Sequence, residues 1–502
     1  MEAHRARIGP WNPVPLLLAF WLLTGASSGF AGTSPDETTP FSQMWENAAA
    51  LQRAEDYAAA EQAYRQILES YPESQRSHLR VAIAQERGGK PQESLATYRD
   101  AILMDVDSSW GATGLFFMAR AAKDQDAPQD FDWARDMIGS RHPDSAWSVR
   151  VEILDAQRRG NTAEASLLEA ALENEIEATE HLNEALALSS ANQLDNALLM
   201  LQQGLAEYSG QRVSWQLKEA EGHVLIRQGR WDEAGDAFAE ILTGLAHEYP
   251  QSRVVTVSLK RLAGIAHATG RKDEALTQFQ QLLAIADNPS ASEHAVLQIC
   301  GLLMEQILEE RPVSRARTLE LEKLLRETLN EPSYSRYTRC RTALMLTELY
   351  LWQGRFDDLH EVAALFTDSE EGFAMDDSLR LETASAYITI AQACMLQHRY
   401  KDVILLCDRV LEKYPEAKRL WPTMDHLERA YYFRYGAYRT LGQKGKADRV
   451  LEEFEERFPA SVYLRSIETM NAYPDSNQFD RVADQYGDII RENVNKERIR
   501  LP

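Results

Sequence analysis

Few residues in this sequence have the types and spacing that chemistry requires. Gly25-Ala26-Ser27-Ser28-Gly29 has the form of a nucleophile elbow, in which a serine sits on a tight turn between a strand and a helix. No strand pattern precedes it, so the turn that would expose the serine has nothing to start from. His360-Glu361 begins a His-Glu-x-x-His zinc pattern, but Ala364 stands where the second histidine must be. A single histidine cannot provide the two ligands one helical turn apart that the ion needs. No Gly-x-x-x-x-Gly-Lys-Ser/Thr phosphate loop is present, nor a Gly-x-Gly-x-x-Gly after a strand. The four cysteines, Cys300, Cys340, Cys394 and Cys407, form no Cys-x-x-Cys pair and lie in apolar helical stretches. They read as buried thiols, and a disulfide is open to them if the chain is exported. The sequence therefore predicts no catalytic residue, no metal ligand and no cofactor.

The rest of the chain has material for a core: of 502 residues, 44% are hydrophobic and 26% charged. The formal net charge of -23 repels phosphate backbones and argues against a nucleic-acid partner. At the N-terminus Arg5 and Arg7 precede the apolar run from Leu16 to Leu23, and small residues lead to Ala31-Gly32. A basic start, a short apolar run and a small-residue site predict a signal over residues 1–31, either cleaved after Ala31 or kept as a membrane anchor. Residues 32–40 read as a linker. The body is then expected outside the cytoplasm, periplasmic or extracellular, touching a membrane only through an uncleaved N-terminal segment.

From residue 41 onward the apolar spacing is helical, with turn signals and no convincing strand. The helices repeat. Ala48 recurs as Ala82, Ala60 as Ser94, Tyr64 as Tyr98 and Leu68 as Ile102, each shifted by 34 residues. The same signature returns as Gly222 with Gly229-Arg-Trp-Asp-Glu-Ala234 and Phe238, and as Ala263 with Gly270-Arg-Lys-Asp-Glu-Ala275 and Phe279. Weaker instances start at Asn192, Gly354, His398 and Gly442, with degenerate ones at Gly160 and at Trp133-Ala134. A second signal separates the units: Tyr71-Pro-Glu-Ser74, His142-Pro-Asp-Ser145, Tyr249-Pro-Gln-Ser252, Tyr414-Pro-Glu-Ala417, Phe458-Pro-Ala-Ser461 and Tyr473-Pro-Asp-Ser476. The proline stops one helix and the serine is placed to cap the next.

This period and these markers resemble the tetratricopeptide repeat. The resemblance implies an all-α fold, a right-handed superhelical solenoid of antiparallel helix pairs A and B. Small residues at the eighth and twentieth positions let A and B approach, and a large one at the twenty-fourth fills the gap beside them. Ala60, Tyr64, Ala234, Phe238, Ala275 and Phe279 are expected to be buried on this basis. The predicted organisation is a repeat array over 41–290, an irregular helical seam over 291–340 broken at Pro312 and Pro332, and a second array with capping helices over 341–502. The acidic stretch from Asp368 to Asp377 is expected as an exposed loop. The Tyr-Pro-x-Ser punctuation is similar to that of bacterial envelope repeat proteins, namely outer-membrane assembly lipoproteins and the periplasmic coordinators of the Tol-Pal system. The chain lacks the lipidated cysteine of the first and the N-terminal coiled coil of the second.

The family captures peptides on its concave face, lined by helix A positions 2, 5, 6, 9, 12 and 13. In the first two units these positions include Trp45, Glu46 and Ala49, then Arg76, Leu79, Arg80 and Ile83. The asparagines of the known carboxylate clamp are absent. In Tyr431-Tyr432-Phe433-Arg434-Tyr435-Gly436-Ala437-Tyr438 the register gives core positions to Tyr431, Tyr435 and Tyr438. Tyr432 and Phe433 are left on the groove, either as anchors for a partner or under a neighbouring helix. Trp352 is a second groove candidate. Lys260, Arg261 and His267 fall on groove positions that suit an acidic ligand or plain solvent. The functional reading is a non-enzymatic scaffold for protein or peptide partners, exported and suited to envelope assembly. An accessory subunit of an exported enzyme or polysaccharide machine is the alternative. Soluble lytic transglycosylases also join an exported helical superhelix to a catalyst, but their catalytic motifs have no counterpart here.

Overall fold

The computed structural model describes residues 40–286, 289–309, 314–366, 372–415, 426–461, 463–465 and 467. The N-terminal signal, Pro312, Asp368–Glu371 and the Tyr473 punctuation lie outside the described residues. Every regular element described is helical. The chain divides into two compact units, one ending at Ala291 and the other beginning at Ser292. The first holds α1 (Pro40–Arg53), α2 (Tyr57–Ser70), α3 (Gln75–Arg87), α4 (Pro91–Met104), α5 (Ser109–Asp124), α6 (Pro128–Arg141), α7 (Ala146–Arg158), α8 (Thr162–Ser190), α9 (Leu194–Glu207), α10 (Ser214–Arg227), α11 (Trp231–Leu245), α12 (Arg253–Ala268) and α13 (Lys272–Ile285). The second holds α14 (Pro289–Glu309), which starts at the boundary, then α15 (Arg315–Asn330), α16 (Arg336–Gln353), α17 (Phe356–Ala363), α18 (Arg380–Leu396), α19 (Tyr400–Lys413), α20 (His426–Thr440) and α21 (Lys444–Arg457).

Within the first unit each helix packs on the one that follows, and alternate helices also touch, as α3 does α5 and α10 does α12. From α15 onward the second unit is built the same way. The A helices are α1, α3, α5, α7, α10 and α12 in the first unit and α16, α18 and α20 in the second. Their pairing buries the marker residues: Ala60, Tyr64, Ala234, Phe238 and Ala275 are each 0% exposed. Phe279 is buried with them. A single hairpin cannot cover its own apolar stripe, so each pair is stabilised by its neighbours. At Gly222 an added Cβ would stand 2.7 Å from the Phe238 ring, which explains why the eighth position is bare there.

Local chemistry ends the helices where the sequence says. Ser74, Ser145 and Ser252 each accept a hydrogen bond from the backbone N–H three residues on, capping α3, α7 and α12. The aromatic of the punctuation is buried at His142, Tyr414 and Phe458, but Tyr71 remains exposed, edge-on to Phe41 at 5.0 Å. The turn from A to B needs one residue with positive φ. Gly89, Gly229, Gly270, Gly354 and Gly442 supply it, whereas Glu55, Asp126, Asn192 and His398 adopt it despite a side chain.

Two features depart from the expected pattern. α8 is one helix of 29 residues, pairing with α7 at one end and with α9 and α10 further along. The stretch from Ser166 to Glu180 contains no glycine or proline to break it. The described part of the acidic insertion is also not simply exposed. From Phe373 it forms two short 3-10 turns, and Phe373 is buried against Phe366 at 5.4 Å.

The first unit also binds distant repeats together. Arg141 donates to the Gln251 carbonyl at 3.2 Å and lies 3.4 Å from Asp107. Gln216 donates to the Asp144 carbonyl at 2.9 Å. Arg212 forms a two-pronged pair with Glu152, at 2.8 and 2.9 Å. At the start of α12, Arg253 grips both oxygens of the buried Glu219 on α10. Arg253–Glu219 spans one repeat and joins neighbouring A helices. A solenoid repeat ordinarily touches only its neighbours, so the contacts of Arg141 with Gln251, Gln216 with Asp144 and Arg212 with Glu152 tie the first unit together beyond stacking alone.

Candidate functional site

The A helices that stack within each unit expose a face not covered by the B helices. Tyr432 and Phe433 lie on that face of α20 and are both half-buried. Their rings are 5.8 Å apart, and Tyr432 also faces Tyr463 at 5.3 Å. Arg429 sits 5.8 Å from the Phe433 ring, held by a 3.1 Å hydrogen bond from its guanidinium to the Gln392 side-chain oxygen. The core residues of the same helix behave differently. Tyr431 is buried and stacks on Phe454 at 5.3 Å, and Tyr435 is 1% exposed. Tyr438, expected in the core, is half-buried instead. The cations Arg434 and Lys446 cover its ring at 6.0 and 5.4 Å, where an apolar neighbour would have closed it off.

Trp352 is half-buried on α16. α16 and α20 both pack on α18, so the structure does not bring Trp352 together with the Tyr432–Phe433 pair. In the first unit, two expected groove residues belong to the core. Trp45 is 8% exposed beneath the Arg76 guanidinium, 3.7 Å from its ring centre, and Leu79 is buried.

The structure also shows an aromatic surface that the sequence reading missed. Phe116 and Phe117 on α5 and Trp147 on α7 are all half-buried. Phe116 is 5.4 Å from Phe117 and 5.1 Å from Trp147. Arg150 lies 4.6 Å over Trp147, and Arg120 lies 4.9 Å over Phe117 while pairing with Glu86 at 2.8 Å. A strict repeat period would put Phe116 at the buried eighth position. α5 has 16 residues where α3 has 13, and the extra length moves that position to Ala119, which is 0% exposed. Phe116 and Phe117 then take the fifth and sixth positions, those held by Tyr432 and Phe433 in α20. In α12 the same two positions carry Lys260 and Arg261, both half-buried, with the half-buried His267 two turns on.

The four cysteines are buried free thiols. Burial pushes Cys300 up to about 12 and Cys394 up to about 11, and raises Cys340 and Cys407 further, so none is a ready nucleophile. Among the described residues no group of His, Cys, Asp and Glu is placed to hold a metal ion.

Two family models of the tetratricopeptide repeat match, at residues 46–112 and 218–288. No curated protein matches the chain. Among solved structures, PilW, a type IV pilus biogenesis factor, is 16% identical over 50% of this chain and 97% of its own, with a TM-score of 0.34. A tetratricopeptide repeat protein from Parabacteroides merdae is 13% identical over 62% and 98%, with a TM-score of 0.35. Yeast Tom70 is 10% identical over 89% and 100%, with a TM-score of 0.30. With helix pairs, caps and buried marker positions in both matched stretches, the chain carries tetratricopeptide repeats at residues 46–112 and 218–288.

Proposed function

We propose that this chain is an exported scaffold that binds segments of other proteins along the A-helix faces of both units, in the assembly of a cell envelope. The observation that carries the binding reading is the recurrence of half-exposed aromatic pairs, Phe116–Phe117 and Tyr432–Phe433, at equivalent positions of the two units. Aromatic rings flanked by arginines offer large contact area at low entropy cost, the composition of binding hot spots. Export is supported by the basic start, apolar run and small-residue site of residues 1–31, and the envelope setting by the Tyr-Pro-x-Ser punctuation. No helix among the described residues is long and apolar enough to cross a membrane. The apolar run from Leu16 to Leu23 is the segment we propose for contact with a lipid bilayer, if it is uncleaved.

The test separates anchors from core. Tyr432→Ala with Phe433→Ala should leave melting nearly unchanged and weaken partner binding by about 2 kcal/mol, the loss typical of a hot-spot aromatic. An early melt, by roughly 3 to 5 kcal/mol, would mean that the rings belong to the core. A normal melt with normal binding moves the test to Phe116–Phe117 and then to Trp352. An alkaline phosphatase fused after residue 40 should be active, since the enzyme folds outside the cytoplasm; an inactive fusion would remove export from the proposal.

A further inference from the structure

We propose that Lys260 and Arg261, side by side on the A-helix face of α12, form a receptor for an acidic stretch of a partner protein. The inference rests on the scaffold reading above and gives one of its surfaces a ligand chemistry.

The chain carries 77 acidic residues against 54 Lys and Arg, so a cation on its surface ordinarily finds a carboxylate. Arg212, Lys218, Arg230, Arg253 and Arg271 of the same unit all do so. Lys260 and Arg261 do not: neither makes an ion pair or a side-chain hydrogen bond among the described residues. The Arg261 Nε is buried without a hydrogen-bond partner. Among the described residues, the carboxylate that reaches the pair electrostatically is Glu219, and both its oxygens are already held by Arg253, with His223 at 3.5 Å from one of them.

Two adjacent cations, half out of water and repelling each other, cost folding free energy. Burial and the neighbouring Arg261 push the Lys260 ammonium down to about 8. An unmet cost of this kind is reduced when a ligand brings the missing negative charge. Geometry supports access. One turn beyond the pair stands Gly264, exposed, with open space where a Cβ would be. Lys260 and Arg261 also occupy the positions at which α5 and α20 present aromatic pairs. Two donors of different shape, a planar fork and a mobile ammonium, suit successive carboxylate side chains.

The probe is a fluorescein-labelled peptide of alternating Asp and Ala, acetylated and amidated so that side chains are its only carboxylates. It is titrated into the full chain at low salt and read by anisotropy. The wild type should bind it, with affinity falling as salt rises. Lys260→Gln with Arg261→Gln should weaken binding by about tenfold or more. Lys260→Arg with Arg261→Lys, which keeps both charges, should restore most of it. Since the Gln pair removes a repulsion, its melting temperature should hold or rise. Phe116→Ala with Phe117→Ala should bind the probe as wild type does while losing aromatic-dependent partners, so the two readings can fail independently. No binding by the wild type, or equal binding by the Gln pair, would overturn the proposal. So would preference for a neutral peptide with a free C-terminal carboxylate, which would make the pair a chain-end site.

Discussion

The contact between Arg253 and Glu219 allows a stability prediction worked from the structure. Glu219 is 3% exposed, so burial alone would push its carboxyl up. Arg253 and His223 more than reverse this and hold it at about 2, against an ordinary 4.5. A shift of that size corresponds to about 3 kcal/mol, in the range expected for breaking a buried pair from one side. Arg253→Met, which keeps the length and removes the charge, should therefore destabilise α10 and α12 by about 3 kcal/mol at neutral pH. The pH dependence has a definite sign. A carboxyl whose folded pKa is depressed gives its stabilisation fully above its unfolded value and loses it as the pH falls toward the folded one. In the wild type this contribution should fade between pH 4.5 and about 2. In the variant it should be absent, because burial then favours the protonated acid. Urea titration with hydrogen exchange read on peptides from α10 and α12 isolates the first unit from the second. A loss below about 1 kcal/mol, the worth of an exposed ion pair, would refute the reasoning. An unchanged acid limb would do the same.

Three further outcomes test the packing. Gly222→Ala should cost about 1 to 3 kcal/mol by overpacking the Phe238 ring, and Phe238→Leu in the same chain should recover part of the loss; an additive double variant would contradict the contact. Glu55, exposed at φ 62 in the first A-to-B turn, should stabilise the protein by up to about 1 kcal/mol when replaced by glycine, measured by thermal melting. The four buried thiols should react with a chromogenic disulfide reagent only on the timescale of unfolding, and fast labelling in native buffer would show that one of them is accessible.

The fold was legible because its grammar is local. Small residues at Ala60 and Ala234, aromatics at Tyr64 and Phe238, and serines after Tyr-Pro each act within one helix pair, so their spacing encodes the packing directly. The caps at Ser108, Ser314 and Ser335 follow the same physics without the Tyr-Pro marker and escaped notice for that reason. Legibility failed where length changed. The longer α5 shifted the register and hid the groove positions of Phe116 and Phe117, which a count back from the turn at Gln125 would have recovered. The uninterrupted α8 hid a turn that does not exist, since a missing Gly or Pro gives no positive signal. The Arg212–Glu152 and Arg141–Gln251 contacts join residues 60 and 110 apart in sequence, and no periodicity reports them.

The central claim is that partners bind on the A-helix faces. Site-specific photo-crosslinking in the native cell tests it directly. A photoreactive phenylalanine at Phe117 or Phe433 should capture a protein partner, and the capture should fade when the neighbouring Phe116 or Tyr432 is changed to alanine. The same probe at Leu199 on α9 or Leu405 on α19, exposed apolar positions on B helices at 56% and 55%, should capture none. Equal capture from Leu199 and Leu405, or capture there alone, would place the binding surface on the B helices and contradict the account.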